Sequence, residues 1–133
     1  SIIQPLKQIS QPFPVSSVAQ KAALIALEDK KFISETKVFM KKEREFLTRE
    51  LENRGLEVAK SKANNLLVKV TPIFKSSTDF VRQLNSRRVS IVDGINFNGL
   101  STDFVRVSPR LRSVNKKFIQ KVDEILVLLK EGL

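Results

Sequence analysis

Two stripes of apolar residues at helical spacing bracket four short runs of strand character, and this arrangement most constrains the fold. Phe32, Ile33, Phe39, Met40, Phe46, Leu47 and Leu51 recur on one face of a long helix that Gly55 ends. Val114, Phe118, Ile119, Val122, Ile125, Leu126 and Leu129 give an amphipathic helix at the C-terminal end. Between them, Leu56, Val58 and then residues 66–70 predict an antiparallel strand pair around a polar loop at 60–65, with Pro72 stopping the second strand. Residues 89–92 predict a third strand closed by Asp93-Gly94, and residues 104–108 a fourth. Ser76-Ser77-Thr78-Asp79 opens a short helix with Phe80, Val81 and Leu84 on its apolar face. Helices that long bury their stripes best against a sheet. The expectation is an α+β fold: a two-layer domain with a mainly antiparallel sheet of about four strands covered by helices. Glu45–Arg49 and Glu50–Arg54 have the spacing of supporting i,i+4 pairs on a solvated helix face.

The N-terminal part reads differently. Pro5, Pro12 and Pro14 prevent residues 1–14 from forming one continuous helix, so this segment is expected to dock on something else. Residues 15–27, VSSVAQKAALIAL, follow. Ser16 or Ser17 can cap a helix there. Ala19, Ala22, Ala23 and Ala26, widened by Leu24, Ile25 and Leu27, make that helix apolar on most sides. A chain of 133 residues can hide such a helix only in part, which implies a neighbour. Glu28-Asp29-Lys30-Lys31 separates it from the long helix.

Chemistry is bounded by what is missing. There is no Cys and no His, which removes disulfides, thiolate and imidazole metal sites, and cysteine or Ser-His-Asp nucleophiles. The net charge is +10, and between residues 82 and 121 nine basic residues face only Asp93 and Asp103. Such a field attracts anions: nucleic acid, anionic lipid or phosphorylated small molecules. A solubilising surface explains the same charge equally well. Tyr and Trp are absent, so base stacking would fall to Phe97 and Phe104. A small basic RNA-binding module is therefore a rival reading, and the scarcity of aromatics argues against it. No apolar run approaches the roughly 18 residues of a membrane helix and no signal series opens the chain, so a cytoplasmic protein is expected.

Four segments in order carry a family resemblance. Pro12-Phe13-Pro14-Val15-Ser16-Ser17-Val18-Ala19-Gln20 resembles the junction between large and small domains of class I/II pyridoxal-phosphate enzymes. Ser61-Lys62-Ala63-Asn64-Asn65-Leu66-Leu67-Val68-Lys69 resembles the S-x-A-N-x-LLVK strand of their histidinol-phosphate aminotransferase-like branch. Arg87-Arg88-Val89-Ser90-Ile91-Val92-Asp93 resembles its R-G-I-x-V-R-D strand. Phe104-Val105-Arg106-Val107 with Asn115 resembles its Y-[LI]-R-[IV]…E-N ending. Within the branch, Asn96-Phe97-Asn98-Gly99-Leu100 and Arg106-Val107-Ser108-Pro109-Arg110 are similar to the N-F-x-G-L and R-V-A-V-R of threonine-phosphate decarboxylases, which serve cobalamin synthesis. The rival within the branch is an aminotransferase acting on histidinol phosphate or a related amino acid.

The resemblance implies a small C-terminal domain over residues 15–133, with 1–14 an inter-domain segment left from the large domain. It implies the cofactor pyridoxal 5'-phosphate, bound mainly by that large domain, which also carries the Schiff-base lysine. No catalytic residue is then expected in this chain, and the chain alone should not turn over. The partners implied are a phosphorylated amino-acid substrate, the protein's own large domain and a second copy in a homodimer. Arg106 matches the family's substrate-carboxylate arginine, whose planar guanidinium holds a carboxylate with two hydrogen bonds. By the residues alone, Arg106 reads as a surface arginine on a solvated sheet face. Arg110, and with more weight on solvent exposure Arg87, Arg88 and Arg112, are candidates for the substrate's phosphate. Asn64 matches a strand asparagine that could line the cleft, although an asparagine there serves equally as a turn residue. The sequence departs from the family's pattern at Val92, where the pattern has arginine, at Arg88, where it has glycine, and at Pro14, where it has asparagine.

Overall fold

A computed structural model describes residues 2–10, 13–71 and 73–132, so Pro12 and Pro72 lie outside the described residues. Two compact units emerge, Ser1–Lys37 and Val38–Leu133.

In the first unit, α1 (Ile3–Ile9) places Pro5 in its first turn, where a missing N–H costs no helical hydrogen bond. α2 (Ser17–Glu28) begins at the Ser16 cap, whose Oγ accepts from the Ala19 N–H at 3.2 Å. None of its residues is buried. The charged break expected after it is a single residue. Asp29 ends α2, and its Oδ1 accepts the Phe32 N–H at 2.8 Å to start α3 (Lys30–Glu52).

In the second unit, a four-stranded antiparallel sheet runs in the order β1-β2-β4-β3, with β1 Glu57–Val58, β2 Leu66–Lys69, β3 Val92–Asp93 and β4 Phe104–Val107. β4 lies between β2 and β3, which α4 (Ser77–Asn85) connects. α5 (Arg112–Lys130) closes the chain. Alternation along each strand sorts the faces. Val58, Val68, Val105 and Asp93 stand across from one another on the helix-covered face, and Leu67, Arg106 and Val92 on the open one. The covered face meets Leu47 and Leu51 from α3, Phe80 and Leu84 from α4, and Val122 and Ile125 from α5, all wholly or almost wholly buried. Each such side chain contributes about 2 kcal/mol by leaving water.

Several boundaries differ from expectation. The third strand is Val92–Asp93 rather than 89–92, because the chain leaves α4 through Arg88 in a left-handed conformation and reaches β4 only at Val92. The long stripe on α3 is buried only toward its C-terminal end, at Phe46, Leu47 and Leu51; Phe32 is 61% exposed. Glu50 pairs with Arg54 at 3.0 Å as spaced, but Glu45 pairs with Lys41 at 3.9 Å instead of Arg49. Among the described residues no helix is long and apolar enough to cross a membrane.

Candidate functional site

A cleft of about 500 Å³ opens where the end of β4, the approach to β3 and the start of α5 meet. Among the described residues, four cations line it, Arg88, Arg106, Arg110 and Lys117, together with Ser90, Ser108 and Asn115, and no carboxylate does. Its charge is of the kind that attracts anions, and Val89, Ile91, Val92, Val107 and Phe118 give it low-dielectric walls.

Each cation is delivered by local structure. Arg106 stands mid-strand on β4, opposite Leu67 and Val92. Among the described residues, no carboxylate pairs with it and its buried Nε has no acceptor. Its guanidinium faces the Phe97 ring at 5.2 Å. Arg88 has φ +61° and ends α4 in a Schellman closure, with Arg88 N–H donating to the Asn85 carbonyl at 3.0 Å and Val89 N–H to Leu84 at 3.0 Å. That geometry favours glycine, the residue in the family's pattern. Arg110 is exposed on the loop leading to α5. Asn115 clamps this loop: its Oδ1 accepts the Arg110 N–H at 2.9 Å, and its Nδ2 donates to the Arg110 carbonyl at 2.7 Å.

Behind Asn115 lies Glu43, 4% exposed, which accepts from Asn115 Nδ2 at 2.8 Å and from Arg112 Nε at 3.0 Å. Arg112, stacked 4.0 Å over the Phe46 ring, completes the pair through its Nη2 at 2.9 Å. The Arg112 hydrogen bond, aided by Asn115, holds the Glu43 carboxyl below its usual range despite burial, and the Arg112 guanidinium is raised in return. Arg112 is therefore spent on Glu43. Arg87 is turned away likewise, donating to the Gln83 carbonyl at 2.8 Å and lying 3.9 Å from Glu124. Neither lines the cleft.

Asn64 is exposed in the loop before β2 and accepts from Asn65 Nδ2 at 2.9 Å. Asn65 accepts from Ser108 Oγ at 2.6 Å, so Asn64 reaches the cleft wall only through this chain. On the other side, Asp93 ends β3 on the buried face. It accepts from Ser77 Oγ at 2.5 Å, Thr78 Oγ1 at 2.7 Å and the Ile95 N–H at 3.2 Å. Burial pushes its carboxyl up, but these donors outweigh burial and leave it below its usual value. They fix the 3-10 turn Gly94–Asn96 that presents Phe97.

The cleft thus gathers Arg106 and Arg110 and leaves Asn64 at one remove. Sequence reasoning missed Glu43 and the Asn115 clamp. One glutamate among eleven other charged residues of α3 gives no local sign of burial; its position i−3 to Phe46 on the stripe was the available signal. The two phenylalanines that an RNA-binding sheet would use are both half-buried.

A histidinol-phosphate aminotransferase of Methanosphaera stadtmanae is 31% identical over 125 residues, covering 93% of this chain and 34% of that protein. One from Caldicellulosiruptor saccharolyticus is 33% identical over 125 residues, covering 94% and 34%. The crystal structure of the histidinol-phosphate aminotransferase from Clostridium acetobutylicum superposes with a TM-score of 0.76 at 28% identity, over 94% of this chain and 37% of that one. The L-threonine-O-3-phosphate decarboxylase of Porphyromonas gingivalis shares the fold, with a TM-score of 0.67 at 21% identity over 93% and 38%. The chain therefore spans about a third of the length of these relatives, and its two-layer sheet is the small domain of that fold type. Residues 1–122 match the model of a family whose enzymes depend on pyridoxal phosphate, and with that match the chain belongs to the aminotransferase class I and II family.

Proposed function

We propose that this chain is the small domain of a larger pyridoxal-phosphate enzyme acting on a phosphorylated amino compound, with residues 15–133 forming the domain and 1–14 joining it to a large domain. The observation that carries the reading is the cleft that, among the described residues, has four cations and no carboxylate in its lining. Lacking an acid, the cleft offers no partner for a pyridinium nitrogen, so its residues fit the anionic groups of a substrate and not the cofactor ring. The cofactor, when bound, supplies the electron sink for the bond broken at Cα. The work of this chain is orientation. Arg106 holds a carboxylate or phosphate through its guanidinium, Arg110 on the clamped loop takes a second anionic group, and Asn64 acts through Asn65 and Ser108. Fixing two anionic ends of a small substrate sets which bond faces the cofactor, and alignment of that kind lowers the barrier.

Within that class, the relatives favour transamination of histidinol phosphate. A second reading, decarboxylation of threonine phosphate, is favoured by Arg110 in the cleft and by the Asn96–Leu100 turn beneath Arg106. The test is made on the full-length protein with its cofactor. Amino transfer from histidinol phosphate to a 2-oxo acid supports the first reading, and carbon dioxide release from threonine phosphate supports the second. Loss of neither activity in R106A would sink both.

A further inference from the structure

We propose that Phe97 is a positioning residue for Arg106: its ring holds the guanidinium in the cleft without neutralising it. Arg106 differs from Arg54, Arg82 and Arg112, each of which ends on a carboxylate. Among the described residues its Nε is buried without an acceptor, and its only oriented contact is the Phe97 ring at 5.2 Å. An aromatic face attracts a cation yet leaves its full charge and its N–H edges for another partner. A carboxylate in the same place would have consumed both.

Phe97 is itself fixed. Its N–H donates to the Gly94 carbonyl at 2.9 Å. Gly94 lies so close to β4 that a Cβ on it would come within 2.2 Å of the Phe104 carbonyl oxygen. Asn96 Nδ2 donates back to the Asp93 carbonyl at 3.2 Å, while the Asp93 carboxylate accepts from Ser77, Thr78 and Ile95. The ring is thus carried by a turn pinned to the strand that carries Arg106. A residue that merely filled space would need none of this alignment.

The role of the ring stands apart from the identity of the anion, which rests on the function proposed above. The test separates them in this 133-residue chain, labelled with nitrogen-15 at arginine. The Arg106 Nε–H resonance, assigned by its loss in R106K, is expected to carry a ring-current shift. F97L should abolish that shift without changing the thermal midpoint by more than a few degrees, and F97Y should restore it. O-phospho-L-threonine, which offers both a carboxylate and a phosphate, is the binding probe. F97L should weaken its binding about fivefold and F97Y should leave it near wild type. Should F97L unfold, F97M carries the same comparison. An Arg106 resonance and probe affinity unchanged in the folded leucine or methionine variant overturn the proposal. No probe binding even in wild type removes the anion-site reading instead, and the positioning role is then read from the nitrogen-15 order parameter of Arg106 Nε, which should fall in folded F97L; an unchanged order parameter overturns it.

Discussion

Two buried carboxylates flank the cleft, and they are kept ionised by opposite means. Glu43 joins α3 to α5 through a cation, Arg112, and the Asn115 amide. Asp93 joins β3 to α4 through two hydroxyls and backbone N–H groups, with no counter-charge among the described residues. Both sit below the usual carboxylate range. What a buried carboxylate requires, then, is a full set of donors; a neighbouring charge is one way to supply them. The two solutions differ in what can loosen them. The Arg112 side chain is 45% exposed, so salt reaches that pair, whereas the donors to Asp93 are neutral.

The strongest way to break the comparison is Asp93→Ala. It strands the Ser77 hydroxyl, which is 0% exposed, and frees the turn bearing Phe97. A loss of about 3 kcal/mol in urea unfolding is expected, the same at low salt and in 1 M NaCl. Glu43→Ala should cost less, about 2 kcal/mol, because Arg112 can turn to water; the loss should shrink in 1 M NaCl. Equal salt dependence of the two variants would erase the distinction.

Acid titration sharpens it from another side. Each native carboxyl lies below its unfolded value, so its contribution is complete above the ordinary carboxylate pKa of about 4 and is lost as pH falls through the depressed native value. The urea midpoint of the wild type should therefore drop as pH falls from about 5 to about 3, and the drop should be shallower in E43Q and in D93N. A wild-type curve that stays flat over this window contradicts both assignments. The smallest effect concerns the end of α4. Gly55, at φ +80°, closes α3 as Arg88 closes α4. Arg88→Gly should raise stability by about 1 kcal/mol, read as a higher thermal midpoint. A lower midpoint would mean that the arginine side chain contributes more than its backbone conformation costs.

Much of this fold could be read from spacing. The stripes, the serine clusters that start α2 and α4, and the alternation that sends Val105 and Val107 inward and Arg106 outward are local patterns, and local patterns survive in sequence. The third strand was misplaced because its start depends on Arg88 adopting a conformation that its side chain disfavours. Glu43 was missed for a different reason: its partners lie 69 and 72 residues away, and nothing adjacent in the chain records them. Arg106 and Arg110 were singled out by motif, and both line the cleft. Asn64 matched a motif, but its side chain stops one residue short of the cleft wall.

The sheet order has a consequence for how the molecule comes together. β2 and β3 never touch; each is held by β4, whose residues 104–107 come late in the chain. Until they arrive, β2 has a partner on one edge only and β3 has none, a state of open edges prone to pair with other chains. The same arrival brings Arg106 beside Val92 and lets the Arg110 loop lie against Asn115. Assembly of the cleft is thus tied to the slow, long-range step of folding. A nascent or truncated chain that stops before Phe104 lacks the cleft altogether and leaves its strands open to aggregation.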